Sequence, residues 1–110
     1  MKKAIVLTYD LGLKGDYNGL YTWLDNLEAK ECGNNVAVFV MNFKKNDFDS
    51  ICEELKREIT NNVKLEQNDR IYVILRDSKG MMKGSFIFGG RKRSPWEGFS
   101  TKQTNSQDNF

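Results

Sequence analysis

The 110-residue sequence contains no histidine. That absence removes Ser-His-Asp and Cys-His catalysis, histidine general bases and histidine metal clusters from the chemistry open to this chain. Cysteine is nearly as scarce. Cys32 and Cys52 stand 20 positions apart and match no zinc-ligand spacing. Cys52 is read as a reduced, buried small hydrophobe. Nor does any apolar run approach the roughly 18 residues of a membrane helix. The basic start, Met1-Lys2-Lys3, leads into Ala4-Ile5-Val6-Leu7, which is too short for a secretory signal and lacks a small-residue cleavage site. The expectation is a cytoplasmic chain with no membrane partner.

What is present is the composition of a folded domain, 39% hydrophobic and 29% charged. The formal net charge of +2 decides nothing about partners, but its distribution does. Residues 1–78 carry 11 basic and 13 acidic side chains, a net of −2, whereas residues 79–110 carry 6 basic and 2 acidic, a net of +4. An anionic partner is to be sought at the C-terminal third.

Along the chain, Ala4-Ile5-Val6-Leu7-Thr8-Tyr9 reads as a strand ended by Asp10, with Gly12 and Gly15 punctuating the loop that follows. Asp16 is the expected N-cap of a first helix over 17–28, where Tyr17, Leu20, Leu24 and Leu27 share one face and Trp23 lies beside it. A weak strand at 29–32, the turn Gly33-Asn34-Asn35 and the strong strand Val36-Ala37-Val38-Phe39-Val40-Met41 predict a hairpin. Asn46 or Asp47 caps a second helix through about residue 60, burying Phe48, Ile51, Cys52, Leu55 and Ile59. Arg70-Ile71-Tyr72-Val73-Ile74-Leu75 predicts another strand, Ser78-Lys79-Gly80 a turn, and Ser85-Phe86-Ile87-Phe88 a short added strand. The expected domain is 1–99, followed by a flexible polar tail over 100–110.

The order β-α-β-β-α-β with one added strand predicts an α+β fold. Two helices over one face of an antiparallel sheet make a ferredoxin-like sandwich, which satisfies the layer and crossover rules. That fold says little about function by itself.

Tyr9-Asp10-Leu11, Lys14-Gly15-Asp16-Tyr17, and then Leu20-Tyr21 and Leu24 resemble the opening of the CRISPR-associated Cas-two superfamily, most closely its stand-alone SinR-like branch. Glu54-Leu55 and Arg70-Ile71-Tyr72-Val73-Ile74 fall in the order that the resemblance requires, which covers roughly residues 3–77. The resemblance implies a ferredoxin-like homodimer. Some members of the family are metal-dependent nucleases and others are scaffolds that grip DNA. The family's strand-one aspartate maps onto Asp10, whose two copies would face each other and share a divalent metal, with Mg²⁺ as the implied cofactor. The sequence departs from the better-known members in its longer Gly-containing loop and in its 91–96 extension, and both departures bear on the DNA-integration role.

Asp10 is therefore the candidate catalytic and metal-binding residue. A carboxylate at a strand end could hold Mg²⁺ through water and activate a hydrolytic water without histidine. Its alternative roles are capping Gly12 or a nearby amide, or a non-catalytic metal or ligand contact. Arg91, Lys92, Arg93 and Trp96 are the candidate nucleic-acid contacts, the cations for phosphate and Trp96 or Phe99 for base stacking. The alternative is a solvated basic stretch with Trp96 against a core edge or a second copy. Tyr17, Tyr21 and Trp23 read as core and interface aromatics rather than a ligand surface. The functional expectation is a homodimeric, non-catalytic module binding RNA or DNA. The alternatives are a Mg²⁺-dependent endonuclease using Asp10 from each subunit, and a protein-interaction or small-ligand regulatory domain.

Overall fold

The apolar run Ala4 to Tyr9 forms the middle of strand β1 (Lys2–Asp10) in a computed structural model that describes residues 1–100. The expected tail, Ser100 apart, lies outside the described residues. The remaining elements are α1 (Tyr17–Asn26), β2 (Lys30–Glu31), β3 (Val36–Asn42), α2 (Phe48–Asn62), β4 (Arg70–Arg76) and β5 (Met82–Phe88). All strand pairs are antiparallel, in the order β2-β3-β1-β4-β5. The fold is thus α+β, a five-stranded antiparallel sheet with two helices. No helix among the described residues is long and apolar enough to cross a membrane.

Strand alternation sorts the sheet into two faces. Ile5, Leu7, Ala37, Phe39, Ile71, Val73, Leu75 and Ile87 are buried and form one core with Leu20, Trp23 and Leu24 of α1 and Ile51, Leu55 and Ile59 of α2. Each such aliphatic side chain contributes on the order of 1.5–3 kcal/mol when fully buried. The opposite face has no helix. Its register pairs are Ala4↔Val40, Val6↔Val38, Val6↔Ile74 and Tyr72↔Phe86, all of them exposed or half-buried. A β-bulge where Ile71 and Tyr72 meet β5 breaks the alternation, leaving Tyr72 opposite Phe86 and Ile71 opposite Phe88.

The helices begin where their caps dictate. Asp16 accepts from Gly19 N at 2.9 Å and also from Lys64 N at 2.9 Å, so one carboxylate both starts α1 and ties it to the segment leaving α2. Asp47 caps α2 through Ser50 N at 3.0 Å. The Gly33-Asn34-Asn35 turn has positive φ at Gly33 and Asn35, as a tight hairpin requires.

Several boundaries differ from expectation. α1 stops at Asn26 and α2 runs on to Asn62, while β5 begins at Met82 rather than Ser85. Trp23 is inside the α1 stripe, 4% exposed and edge-on to Phe39, whereas Tyr17 lies at its margin. Cys52 is half-buried rather than buried, and that burial pushes its thiol up to about 11, so it is protonated and unreactive at neutral pH.

Candidate nucleic-acid interface

Asp10 ends β1 directly opposite Arg70, the first residue of β4. Arg70 donates from Nη2 at 2.7 Å and from Nε at 3.2 Å, both to Asp10 Oδ2. The capping role considered for Asp10 belongs instead to Asp69. This fully buried carboxylate accepts from Gly12 N and from Glu66 N, each at 2.7 Å, and so fixes the loop after β1 against the entry to β4.

Asp10 and Arg70 line a cleft of about 420 Å³ on the uncovered sheet face, together with Tyr72, Phe86, Asn35 and Arg91. Arg91 arrives there because of Gly89. This residue has φ 76°, and a Cβ on it would lie 2.6 Å from the Asp69 carbonyl oxygen and 2.8 Å from Arg70 Cγ. Only glycine combines that backbone conformation with so close an approach. The chain leaving β5 is thereby pressed onto the start of β4.

The structure divides the predicted basic patch. Arg91 lines the cleft, while Lys92, Arg93 and Trp96 are exposed and outside its lining. Arg93 is engaged with Glu97 at 2.9 Å. Trp96 is 73% exposed and Phe99 is 87% exposed, so neither covers a core edge within the chain. Successive turns, Glu97 N to Ser94 O and Phe99 N to Trp96 O, each at 3.0 Å, give this segment its local form.

Arg70, Tyr72 and Phe86 are site residues that sequence reasoning passed over. They lie inside runs read as strand, and the signal available was their parity. Arg70 and Tyr72 share one face of β4 and Ile71, Val73 and Leu75 the other, so the aromatic and the cation fall on the side away from the apolar stripe. Tyr9 also lines the cleft, and it joins the tyrosines of α1. Tyr9, Tyr17 and Tyr21 pack with ring centroids 5.5–6.4 Å apart, and Tyr9 hydroxyl meets Tyr21 hydroxyl at 3.4 Å. Burial, then the bond to Tyr21, pushes the Tyr9 phenol up to about 12.

Asp10 brings one carboxylate to the cleft, and two N–H groups of Arg70 already converge on one of its oxygens. A divalent ion taking that oxygen would displace the guanidinium or sit beside its positive charge, a poor fit within one chain. Among the described residues no three Cys, Asp or Glu side chains are grouped as metal ligands. What the cleft offers is two arginines, partly offset by one carboxylate, beside three aromatic residues, Tyr9, Tyr72 and Phe86. No family model, curated protein or solved structure matches the chain.

Proposed function

We propose that this chain is a non-catalytic, homodimeric nucleic-acid-binding module with a ferredoxin-like sandwich, similar to the SinR-like branch of the Cas-two superfamily. The observation that carries the binding role is the placing of Arg70 and Arg91 in one open cleft, with Asp10 serving to hold the Arg70 guanidinium. Phosphate is the ligand that two arginines lining one cleft suit best. Lys92 and Arg93 extend the positive charge beyond the cleft. Support for the fold name comes from the strand order, which read from β4 inward is β4-β1-β3-β2 with both helices in one core, and from β5 as the added strand.

Support for the homodimer comes from the uncovered face. Its β1–β3 half is aliphatic, with Ala4, Val6, Val38 and Val40, and Val40 is 55% exposed. A second copy seated around Ala4 and Val40 removes this surface from water and leaves the cleft, at the Asp10 end of the sheet, at the rim.

The test is a pair of assays on purified protein with RNA and DNA, in Mg²⁺, in Mn²⁺ and in chelator. Salt-dependent binding without cleavage, weakened by Arg70→Ala or Arg91→Ala with a shallower salt slope, is the expected result. Metal-dependent cleavage lost in Asp10→Asn would instead establish the endonuclease. No binding of either polymer at low salt would leave a protein or small-ligand partner.

A further inference from the structure

Gly84 lies on the uncovered face opposite Ile74, two register pairs from Tyr72↔Phe86. A Cβ at this glycine would collide with the Tyr72 hydroxyl, and would lie 2.6 Å from Tyr72 Cζ and 2.8 Å from Cε2. The phenol end of Tyr72 therefore crosses the β5 backbone at the one position where no side chain stands in its way. Phe86 closes the other side, edge-on at 71° with ring centroids 4.8 Å apart. An aromatic ring held in this way cannot swing freely. It is a preorganised surface on the half of the sheet that no helix covers, at the lining of the cleft that holds Arg70 and Arg91.

We infer that Tyr72, positioned by Gly84 and Phe86, is a stacking platform for an unpaired nucleobase, and that the site therefore selects single-stranded nucleic acid over duplex. The inference rests on the nucleic-acid-binding reading and adds the substrate class to it. The chemistry is that of a split site. Arg70 and Arg91 address the phosphates flanking the base, while the ring accepts any base through its π-face. In a duplex the bases are stacked on one another, and the platform has nothing to receive without unstacking. Asp10 keeps Arg70 at the cleft wall, using Nε and one Nη2 hydrogen and leaving the other N–H groups of the guanidinium to a ligand.

The experiment measures fluorescence anisotropy of the full chain with three labelled probes of equal length. These are a single-stranded oligothymidine, its duplex with oligodeoxyadenosine, and an abasic sugar-phosphate strand. The oligothymidine should bind tightest, and Tyr72→Ala should weaken it by roughly 5- to 150-fold while leaving the abasic probe unchanged. Tyr72→Phe should retain the preference, and Gly84→Ala should lose it by displacing the ring. The abasic comparison needs no variant, so it tests for base recognition even if a substitution fails to fold, and a preference lost in Trp96→Ala or Phe99→Ala but kept in Tyr72→Ala would overturn the platform. Equal binding of all three probes, reduced only by the arginine variants, would overturn the platform while the phosphate-binding reading stands. No binding of any probe at low salt would overturn both.

Discussion

Asp10 and Arg70 are register partners across β1 and β4, and Nε and Nη2 of the guanidinium converge on the same carboxylate oxygen. Asp10 is 58% exposed in this pair, so its contribution to stability is small, under about 1 kcal/mol. Its effect is on placement. Asp10→Asn keeps a side-chain oxygen for Arg70 and removes the charge. It should leave the melting temperature nearly unchanged and should strengthen low-salt binding of polynucleotide by about threefold, because one negative charge leaves a phosphate site while Arg70 stays placed. Anisotropy titration of the variant measures this. A loss of binding would mean that the charge of Asp10 is needed to place Arg70, or that the carboxylate itself meets the ligand or a metal.

Asp69 is a different kind of aspartate. It is fully buried, and both of its oxygens are used, one by Gly12 N and one by Glu66 N. Asp69→Ala leaves two amides without partners, and the expected loss is about 3 kcal/mol. The urea midpoint should fall while the slope of the transition is kept. Asp69→Asn, which keeps one carbonyl oxygen, should recover part of that loss.

In acid, three aspartates act together. Hydrogen bonds from Lys64 N and then Gly19 N hold Asp16 below its ordinary value of 3.8, Ser50 does so for Asp47, and the Met81 and Lys79 amides with Lys83 do so for Asp77. Carboxyls depressed in the folded state bind fewer protons there than in the unfolded chain. The stability they contribute is present above their unfolded pKa and is lost as the pH falls below about 4. With no histidine in the chain, thermal melts should be flat between about pH 5 and 8 and should fall only on further acidification. A step near pH 6 would contradict this.

At the alkaline end the sign reverses. Tyr9, pushed up to about 12, holds its proton more tightly in the folded chain than in the unfolded one. Its contribution is intact below pH 10 and is lost as the pH rises through about 12. A spectrophotometric titration should show a late-ionising component that is absent from Tyr9→Phe.

Val40 tests the pairing of copies. It is 55% exposed on the aliphatic half-face, so Val40→Glu places a charge on the proposed interface without touching the core. Light scattering should show a dimer for the parent chain and a monomer for the variant, with an unchanged circular dichroism spectrum. A monomeric parent chain at micromolar concentration would refute the dimer.

Much of the framework was legible because period and punctuation agree. Asp16 and Asp47 start helices, Gly33-Asn34-Asn35 turns a hairpin, and Ile51, Leu55 and Ile59 recur at helical spacing. The first half of β5 was not legible, since Met82-Lys83-Gly84 has neither alternation nor β-branched residues. It is a strand because β4 supplies a partner and Asp77 builds the turn, accepting from Lys79 N and Met81 N at 2.9 Å. Of the candidate site, Asp10 and Arg91 were visible as chemistry. Their shared cleft depends on Arg70 being 60 residues from Asp10 in sequence and adjacent in the sheet, a relationship that only pairing reveals.

Gly89 also sets how far the basic residues can travel. With the chain pinned against Asp69 and Arg70 at that point, Arg91 has at most about 7 Å of backbone to move on, whereas Trp96 has about 25 Å. The segment therefore carries its residues at graded distances from a fixed point. Its first cation stays at a high effective concentration beside the cleft, while its aromatic end stands outside the cleft lining on the turns that follow. Lengthening the segment by inserting glycines after Gly89 would dilute Arg91 before it affected Trp96, so the two contributions to binding would separate by linker length alone.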